Sequence, residues 1–563
     1  MNNTSSGLPL TRSHVDKIFP KLTPEQIRRI SVRGHMRETH IGEVLVEQGD
    51  NAMPFFVVVS GELEVVRPSG GAVETLVTVH SSGEFTGEVN MLSGRRTLVR
   101  IRAIKPGKVI QLTRQNLMNL LQSDAELGEI IMRAFILRRV ELVASGTGDV
   151  VLIGSIHSPG TFRIKEFLIR NGHPYSYIDL ERDSDVQNLL DSFHIDGGEI
   201  PVLICQGKIV LKNPTTRKIA ECLGFNESID QTHVRDLIII GGGPSGLAAA
   251  VYGASEGLDV LVLETGSPGG QAGSSSRIEN YLGFPTGISG QDLAARAYNQ
   301  AQKFGAQMLI SKCTRLVCDR KPAYIIKVEN GSQIPARSIV IATGAEYRKP
   351  SQLKNLSRFE GAGVYYGATF MEAQLCTGEE VIVVGGGNSA GQAAVYLANT
   401  TKRVHMLIRS EGLVKKSMSR YLIRRIEETP SIILRPYTEI IELQGDNHHL
   451  QSVRWQNSKT GNTEEHNIHH VFVMTGATPN TRWLDDGCIA LDNKGFIKTG
   501  PDLSTENLGD FGWPLSRQPY LLETSLPGVF AVGDVRGGSI KRVASAVGEG
   551  SIAISFVHQV LQE

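Results

Sequence analysis

Two glycine-rich turns in this chain have the composition and spacing that bind phosphate groups. The first turn follows an apolar run, opens an alanine-rich helix and contains Gly241, Gly243, Ser245 and Gly246. Glycines at these positions let backbone N–H groups approach a pyrophosphate at the positive end of a helix. Glu264 ends the next apolar run, where a carboxylate can accept hydrogen bonds from ribose hydroxyls. The pattern predicts a dinucleotide site at the first turn.

The second turn repeats this pattern between another apolar run and another helix. It contains Gly385, Gly387, Asn388, Ser389 and Ala390. The strand that follows ends in Arg409 instead of an acid, and Lys415 and Lys416 lie just beyond. A cation at this position attracts a 2′-phosphate, which favours NADPH over NADH; the alternative is a solvated basic turn. Two dinucleotide sites in one chain indicate electron transfer between the bound groups.

Sulfur and metal chemistry are weakly represented. The six cysteines are Cys205, Cys222, Cys313, Cys318, Cys376 and Cys488, and they form no C-x-x-C pair and no zinc-like spacing with histidine. Cys313 and Cys318 have an odd separation in a predicted strand, so their side chains should face opposite ways and not bridge. The histidines at 448, 449, 466, 469 and 470 are expected to flank a solvated hairpin and not to bind metal.

The composition narrows the function classes. Lys+Arg and Asp+Glu both number 58, so the formal net charge is zero and no long-range field favours nucleic acid or anionic lipid. Residues 1–16 lack an apolar signal core, and no run of about 18 apolar residues occurs. We therefore expect a cytoplasmic protein with neither nucleic-acid nor membrane partners. A length of 563 residues suggests three or four domains at roughly 150 residues each.

Three kinds of unit must position these residues. Between 41 and 112, short β-rich runs broken by glycines predict a β-roll, with 55–59 and 63–66 as separate strands. Helical patterns follow over 114–143. Residues 150–223 then alternate apolar strands and helices in the order βαβαββα of an α/β sandwich. The remaining part of the chain carries the two glycine turns.

From residue 234 to its end, the chain resembles a thioredoxin-reductase-type flavoprotein. The matching segments lie in the family's order and are Gly269-Gly-Gln271, Glu279-Asn280-Tyr281, Ile341-Ala-Thr-Gly344, Gly476-Ala-Thr-Pro-Asn-Thr481 and Gly528-Val-Phe-Ala-Val-Gly-Asp534. The resemblance implies two Rossmann-like α/β domains, FAD at the first turn, NADPH at the second, hydride transfer from NADPH to FAD, and a homodimer.

The same resemblance assigns residues to each cofactor. For FAD it implies Gly241, Gly243, Ser245, Gly246, Glu264, Gly270, Gln271, Asn280, Thr343, Gly344, Gly533, Asp534, Val543 and Ala544. For NADPH it implies Gly385, Gly387, Asn388, Ser389, Ala390, Arg409, Lys415 and Gly476. Gln271 and Asn280 would approach the flavin, Asp534 would meet its ribityl chain, and Val543 with Ala544 would close over the ring.

The family's redox motif is missing. Thioredoxin reductases carry C-A-T-C before the second turn, whereas Gly367 and Phe370 stand at the two sulfur positions around Ala368-Thr369 in this chain. Neither residue can attack a disulfide, because that reaction needs a thiolate. Cys376 is a weak substitute by its place in the sequence; the alternative is a reduced, buried thiol.

The sandwich has lost its dithiol as well. It resembles a thioredoxin or glutaredoxin domain, with Ile200-Pro201 at the family's cis-proline position. The turn that carries C-x-x-C in that family reads His157-Ser-Pro-Gly-Thr161 here. We therefore favour a docking or spacer role for the sandwich over a catalytic one.

The N-terminal β-roll resembles a cyclic-nucleotide-binding domain. The resemblance rests on Gly42-Glu-Val-Leu-Val-Glu-Gln-Gly-Asp50, Phe55-Phe-Val-Val-Val-Ser-Gly-Glu-Leu-Glu64 and Gly83-Glu-Phe-Thr-Gly-Glu-Val-Asn-Met-Leu92. By that resemblance Gly87 and Glu88 hold the cyclic phosphate and the ribose, and the family's phosphate-binding arginine aligns with Thr97, or with Arg96 after a one-residue deletion. Leu98 and Val99 replace the small residues that follow it. The two interpretations of the roll are a cyclic-nucleotide site and a docking or dimerisation module.

The resulting prediction is a multidomain flavoenzyme. Its domains are a cyclic-nucleotide-binding-like roll at 1–145, a thioredoxin-like domain at 149–226, an FAD domain at 232–348 with 482–563, and an NAD(P)H domain at 349–481. It would pass electrons from NADPH through FAD to a small-molecule or protein acceptor without a local C-x-x-C. The alternatives are a thioredoxin-disulfide reductase that uses other thiols, and a redox- or cyclic-nucleotide-responsive regulator without turnover.

Overall fold

The computed structural model describes most of the chain. The described residues are 17–50, 53–68, 74–88, 90–93, 95–144, 150–155, 158–180, 199–205, 209–226, 229–275, 277–319, 323–350, 352–413, 418–446, 449–484 and 487–563. The chain forms two compact units. The first comprises Met1–Gly154, Phe167–Asp230 and Asn299–Ile310, and the second comprises Ser155–Glu166, Gln231–Tyr298 and Ser311–Glu563.

Helices and strands alternate along most of the described chain. The α-helices are α1 Pro24–Ser31, α2 Asn90–Ser93, α3 Arg114–Ser123, α4 Ala125–Ala144, α5 Pro159–Arg170, α6 Thr216–Cys222, α7 Pro244–Ser255, α8 Gly270–Gly273, α9 Gly290–Lys303, α10 Leu356–Phe359, α11 Phe370–Leu375, α12 Asn388–Leu397, α13 Arg420–Glu428, α14 Thr505–Asp510 and α15 Val543–Gln562. The 3₁₀ turns are Arg482–Leu484, Gly500–Asp502 and Gly533–Val535.

The strands divide among several sheets. They are β1 His35–Thr39, β2 Val44–Val46, β3 Phe55–Pro68, β4 Glu74–His80, β5 Arg100–Leu112, β6 Val150–Gly154, β7 Ser176–Asp179, β8 Val202–Cys205, β9 Ile209–Lys212, β10 Arg235–Ile240, β11 Val260–Glu264, β12 Gln307–Ile310, β13 Cys313–Val317, β14 Tyr324–Val328, β15 Gln333–Ile341, β16 Ala345–Tyr347, β17 Val364–Tyr365, β18 Glu380–Val384, β19 Arg403–Leu407, β20 Ile432–Arg435, β21 Thr438–Gly445, β22 Leu450–Asn457, β23 Thr463–His466, β24 His470–Val473, β25 Ala477–Pro479 and β26 Val529–Ala531.

The predicted β-roll is confirmed, with longer strands than expected. Its antiparallel sheet has the order β1-β5-β3-β4, with β2 on β5. The prediction of separate strands at 55–59 and 63–66 is wrong, because β3 continues through both. Gly61 takes a φ of +85°, and the pairing with β5 shifts register on either side of it, so a bulge replaces the predicted break.

The helical patterns predicted after the roll form two helices, α3 and α4. The first helix ends at Ser123, where the N–H of the C-cap residue Asp124 donates to the Leu120 carbonyl. The Asp124 carboxylate accepts the Leu127 N–H at 3.1 Å. An aspartate in this position caps the start of α4. Packing of these helices against the roll buries a core that includes Phe55, Phe85 and Phe135.

The α/β sandwich has a mixed four-stranded sheet in the order β7-β6-β8-β9. Strands β6 and β7 are parallel, whereas β8 pairs antiparallel with both β6 and β9. The Ile200-Pro201 peptide bond is cis and directly precedes β8, as the sequence predicts. The helix predicted at 185–193 lies outside the described residues.

The second unit contains two larger sheets, and in each of them a glycine turn follows a parallel strand. In the first sheet β10, β11, β15 and β26 are parallel, whereas β14 pairs antiparallel with β13 and β15. In the first, β11-β10-β15-β14-β13 are neighbours and β26 pairs with β15. The ends of β10, β11, β15 and β26 align at one edge, because Ile240 faces Leu263 and Ile341, and Ile341 faces Ala531. In open α/β sheets ligands bind at this carboxyl edge.

The inserted sheet has the order β17-β24-β18-β19-β20, and all its pairings are parallel. Val384 faces Leu407 and Val473, so the residues that follow these three strands meet at a second carboxyl edge. Two smaller antiparallel sheets, β16-β25 and β21-β22-β23, lie in the same compact unit.

The sequence predicts neither a membrane-spanning helix nor a metal-binding cluster, and the described residues bear on both predictions. Among these residues, no helix is long and apolar enough to span a membrane. No group of histidine, cysteine and carboxylate side chains within the described ranges could hold a metal ion. His466 instead stacks on Trp455 at 4.0 Å, and His469 pairs with Glu379 at 3.0 Å. His448 lies outside the described ranges.

Candidate functional site

The first glycine turn is shaped by backbone contacts that exclude side chains. A Cβ on Gly246 would lie 1.9 Å from the carbonyl oxygen of Gly241, and one on Gly241 would lie 2.3 Å from that of Ala342. Gly241 also has a φ of +109°, which favours glycine. These glycines are required because the turn packs directly on the end of β15 before α7 begins.

The mouth of this turn leaves space for a ligand. Gly243 is the N-cap of α7 and, lacking a side chain, makes no side-chain cap to the helix. The nearest described atom to a Cβ on Gly243 would be the Cα of Gly270, at 4.0 Å. A helix N-terminus that no side chain caps, with Gly243 and Gly270 facing each other beside it, is suited to a pyrophosphate.

Glu264 stands at the end of β11 beside the turn and is only 9 % exposed. Its Oε2 accepts a hydrogen bond from the Gly242 N–H at 2.7 Å, and its Oε1 accepts one from the Gly266 N–H at 2.9 Å. Oε1 also accepts the Thr265 hydroxyl at 3.3 Å, whereas Oε2 keeps a second lone pair. The arrangement therefore fits ribose hydroxyls as further donors.

The segments predicted to surround a flavin are partly tied to one another. The Gln271 side chain is exposed, and its amide donates to the carbonyl of Ala345 at 2.6 Å. Thr343 and Asn480 exchange two hydrogen bonds of 2.9 Å. A Cβ on Gly344 would meet no described atom within 4 Å. Asn280 is exposed, and its approach to the flavin stays a prediction.

The C-terminal segment joins the first turn through small residues. A Cβ on Gly533 would lie 2.6 Å from the Ser245 hydroxyl, and one on Gly550 would lie 2.1 Å from the Ser245 carbonyl. Burial raises the pKa of the Asp534 carboxyl, opposed by Lys541 and reinforced by Glu549. The structure therefore brings Gly533 and Asp534 to the turn.

Helix α15 starts shortly after this segment. Val543 is half-buried and Ala544 is exposed at its first turn. The structure places them at the beginning of the helix that packs on α7, and their closure over a ring stays a prediction.

The second glycine turn has the same backbone logic. Gly385 has a φ of +141°, and a Cβ on it would lie 2.5 Å from the carbonyl oxygen of Met474. Ala390 is fully buried, and its Cβ is 3.1 Å from that position, so a larger residue would collide with the turn. Gly387 is the N-cap of α12, and it has no side chain to cap that helix.

The residues around the second turn agree in part with the prediction. The Asn388 side chain accepts the Ser419 N–H at 2.8 Å, which fixes its orientation toward the protein. Ser389 is hydrogen-bonded to Tyr347, and burial raises the pKa of that phenol. Gly476 is open, with no described atom within 4 Å of a Cβ. Arg409 is exposed just beyond β19, whereas Lys415 lies outside the described residues.

The position of the missing dithiol is occupied by an open turn and a helix start. A Cβ on Gly367 would meet no described atom within 4 Å, and Phe370 is the first residue of α11. The Thr369 N–H donates to the Glu372 carboxylate at 2.8 Å, and the Thr369 hydroxyl donates to it as well. A buried carboxylate thus caps α11 from within.

The surroundings of Cys376 favour the alternative of a reduced, buried thiol over a substitute for the dithiol. The side chain is fully buried in the core beneath β18, and its thiol donates to the Glu372 carbonyl at 3.2 Å. Burial raises its pKa to about 12. A thiol that stays protonated is a poor nucleophile, so the alternative of an inert core cysteine describes it.

A disulfide that the sequence did not suggest joins Cys318 to Cys488. Their Cα atoms are 6.3 Å apart and their sequence separation is 170. Both residues are partly exposed. Cys313 is buried and is not their partner, in agreement with the predicted lack of a Cys313–Cys318 bridge. No local spacing could have revealed the pair, because it forms only when distant loops meet.

The first turns of α5 contact the segment that leads into the missing dithiol. A Cβ on Gly361 would lie 3.2 Å from the Pro159 Cβ, and the rings of Phe162 and Tyr365 are 6.2 Å apart. Burial raises the pKa of the Glu372 carboxyl, and the negative charge of Glu166 raises that pKa further. The start of α5, next to the turn where the predicted thioredoxin resemblance places C-x-x-C, therefore contacts the segment that precedes Gly367. His157 lies outside the described residues.

The predicted cyclic-nucleotide residues of the roll are engaged by protein groups. Glu88 lies 3.7 Å from Arg139, and Arg96 donates to the Cys222 carbonyl at 3.5 Å. The Thr97 hydroxyl donates to the Val99 carbonyl at 3.2 Å. A Cβ on Gly87 would lie 2.4 Å from Met91 Sδ, so this glycine is needed for packing.

Family models match both ends of this architecture. Residues 235–550 match the family described as pyridine nucleotide-disulphide oxidoreductase, and residues 36–124 match the cyclic nucleotide-binding domain. The first match covers more than half of the chain.

Individual proteins are similar to the same C-terminal part. A thioredoxin reductase of Bacillus subtilis (strain 168) is 30 % identical over 335 residues, which are 60 % of this chain and 97 % of that protein. A thioredoxin reductase of Treponema pallidum (strain Nichols) is 33 % identical over 318 residues, which are 56 % of this chain and 94 % of that protein. The crystal structure of Lactococcus lactis thioredoxin reductase superposes with a TM-score of 0.51 at 29 % identity, over 58 % of this chain and all of that one.

Proposed function

Because the chain belongs to the pyridine nucleotide-disulphide oxidoreductase family, we propose that it oxidises NADPH through bound FAD and reduces an acceptor without a local dithiol. The observation that carries this proposal is the open turn at Gly367 and the helix start at Phe370, where the thioredoxin reductases carry their redox cysteines. The buried Cys376 offers no thiolate in their place.

The first turn has the features that FAD requires. Gly241, Gly243 and Gly246 admit a pyrophosphate next to the N-terminus of α7, and Glu264 offers acceptors to a ribose. When bound, the isoalloxazine ring accepts a hydride and passes electrons on. The chain's own contribution is to bind this group, orient it and exclude water; Asp534 and Gln271 are the polar residues proposed to position it.

The second turn is proposed to bind NADPH. Gly385, Gly387 and Ala390 shape it, and the exposed Arg409 supplies a cation where a 2′-phosphate would lie. This cation is the reason to prefer NADPH to NADH. No acid or base from the protein is needed for hydride transfer, which depends on stacked and oriented rings.

The acceptor is proposed to react at the flavin directly. Suitable classes are quinones, dioxygen, other small oxidants, or a redox protein that docks on the flavin domain. The contacts of Pro159 and Phe162 with Gly361 and Tyr365 support this proposal, since the chain itself covers the surface next to the replaced motif. The four-domain division, the homodimer and the cytoplasmic location remain predictions.

An anaerobic titration tests the proposal. The purified yellow protein is titrated with NADPH while flavin absorbance is followed, and steady-state oxidation is then measured with a quinone, dioxygen and a disulfide dye. We expect bleaching after one equivalent, turnover with the quinone or dioxygen, and none with the disulfide. Efficient disulfide reduction would contradict the proposal.

The Cys318–Cys488 disulfide favours a second candidate, a disulfide reductase that uses thiols elsewhere in the chain. Reduction of a disulfide consumes two electrons and two protons and yields two thiols. If this pair receives electrons from NADPH, a second equivalent is consumed and two thiols become titratable. The Cys318→Ser/Cys488→Ser variant would then need only one equivalent, whereas under the first proposal it behaves like the wild type.

A further inference from the structure

Three arginines of the β-roll and its helix α4 contact the α/β sandwich. Two of them belong to the phosphate cassette, a name that we use for the described residues 87, 88 and 95–97. The roll and the sandwich residues involved belong to the same compact unit. The arginines are Arg95, Arg96 and Arg139. Each meets a backbone carbonyl of the sandwich, at a separate place.

Arg95 makes the most extensive contact. It is only 8 % exposed, and its guanidinium lies 4.1 Å above the ring of Phe225. Its Nη1 also donates to the Asn171 carbonyl at 3.4 Å. The ring of Phe225 also stacks on the ring of Phe167, with 5.8 Å between the ring centroids. A guanidinium above an aromatic ring is attracted by the negative face of the ring, and the attraction is stronger where both groups are shielded from water.

Arg96 reaches the end of helix α6. Its Nη1 donates to the carbonyl of Cys222, the last residue of that helix, at 3.5 Å. A helix C-terminus carries partial negative charge and leaves carbonyls without helical partners, so it attracts a cation. Gly224 follows with a φ of +65°, and a Cβ there would lie 2.5 Å from Arg96 Cγ. The turn after α6 therefore makes room for this side chain.

Arg139 links the cassette to the sandwich. Its Nη2 donates to the Gly172 carbonyl, and its Nη1 lies 3.7 Å from the Glu88 carboxylate. Glu88 is the residue that the family resemblance assigns to a ribose hydroxyl. Its carboxylate is instead shared with an arginine that is only 9 % exposed.

Arg138 also stabilises the backbone of the cassette. The Arg138 guanidinium donates to the carbonyls of Phe85 and Gly87 at 3.0 and 2.9 Å. Burial lowers the pKa of this arginine to about 9. Its hydrogen bonds hold the backbone in place at Phe85 and Gly87.

These residues do not fit a cyclic nucleotide. A phosphate needs an available guanidinium, but Arg95 and Arg96 are directed to the sandwich, and Thr97 uses its hydroxyl within the roll. We propose that the cassette of the β-roll is an intramolecular docking site for the α/β sandwich, through Arg95, Arg96 and Arg139, in place of a cyclic-nucleotide site. This inference does not depend on the proposed oxidoreductase function.

Amide hydrogen exchange on the full-length protein tests the docking. In Arg95→Ala/Arg139→Ala, the backbone amides of residues 171–173 and 222–226 should exchange about tenfold faster than in the wild type, because docking stabilises this local structure. Arg102→Ala is the matched control: Arg102 lies on the same roll and pairs with Glu64 and Glu74 inside it. Unchanged exchange in the double variant would overturn the proposal.

The opposite side of the contact provides a second variant. Phe225→Leu keeps an apolar side chain but removes the aromatic ring under Arg95, so amide exchange at residues 95–97 should be faster than in the wild type. Calorimetry with cAMP and cGMP up to millimolar concentration should give no saturable heat with the wild type. Saturable one-to-one heat would show a cyclic-nucleotide site and refute the docking assignment.

Discussion

The turn at Gly241 and the cassette at Gly87 both place a glycine of positive φ before a helix, yet their surroundings differ. Around Gly241 the neighbouring Gly243 and Gly344 leave open space, and Glu264 offers its carboxylate at the rim. Around Gly87 the space is filled by Met91 and Phe135 of the roll's own core. A helix start binds an anion only where the protein leaves it accessible.

The cationic residues of the two regions differ in the same way. Arg409, beyond the second dinucleotide turn, is exposed to solvent, whereas Arg95 and Arg139 of the roll are buried against the sandwich. The fold of a nucleotide-binding domain is therefore retained in both regions, while the charges needed for a ligand are directed outward in one and toward the protein in the other. Fold and ligand binding separate here.

The largest expected effect comes from a substitution that disrupts the first glycine turn. In Gly246→Val the new side chain would collide with the Gly241 carbonyl, 1.9 Å from the Cβ position, so the variant should purify without flavin and without NADPH oxidation. Gly266→Ala is the control, since its Cβ would meet no described atom within 4 Å. Visible absorbance and circular dichroism measure flavin content and folding. A yellow, folded Gly246→Val would contradict the assignment of this turn.

A smaller effect is expected at the second turn. Arg409→Ala should raise the KM for NADPH about tenfold and leave kcat and the KM for NADH unchanged, because a charge-assisted contact to the 2′-phosphate is lost. Arg403→Ala is the control: this exposed arginine of β19 lies 3.5 Å from Glu380. Steady-state kinetics with both nucleotides distinguishes them, and equal changes for NADPH and NADH would reject a 2′-phosphate contact.

The smallest effect concerns the carboxylate next to the missing dithiol. Burial raises the pKa of Glu372, so the folded state holds its proton more tightly than the unfolded state does. Stability therefore falls as the pH rises above the unfolded value of about 4.3. Glu372→Gln remains neutral and should melt a few degrees above the wild type at pH 8, with the difference vanishing near pH 4. A pH-independent difference would contradict burial as the cause.

Local patterns were sufficient for the fold classes. The β-roll, the sandwich sheet and the two strand-glycine-helix units are confirmed, because alternating or continuous apolar runs and glycine breaks report directly on strands and turns. The glycines of both dinucleotide turns were also predictable, since close backbone approach at Gly241 and Gly385 tolerates no side chain. The roles assigned to the surrounding polar residues stay predictions.

Long-range contacts were not predictable. The pairing of Cys318 with Cys488 joins positions separated by 170 residues, and the bulge at Gly61 keeps β3 continuous where the sequence indicates a break. The fate of Cys376 likewise depended on burial, which no spacing reports.

By itself, the sequence determined where the backbone must turn tightly and that no sulfur stands at either former dithiol position, because glycine and cysteine act through properties of the residue itself. Only the tertiary structure decided that the arginines of the roll contact the sandwich and that Glu88 faces Arg139. The direction of a long charged side chain depends on which carbonyls and rings the folded chain brings within its reach.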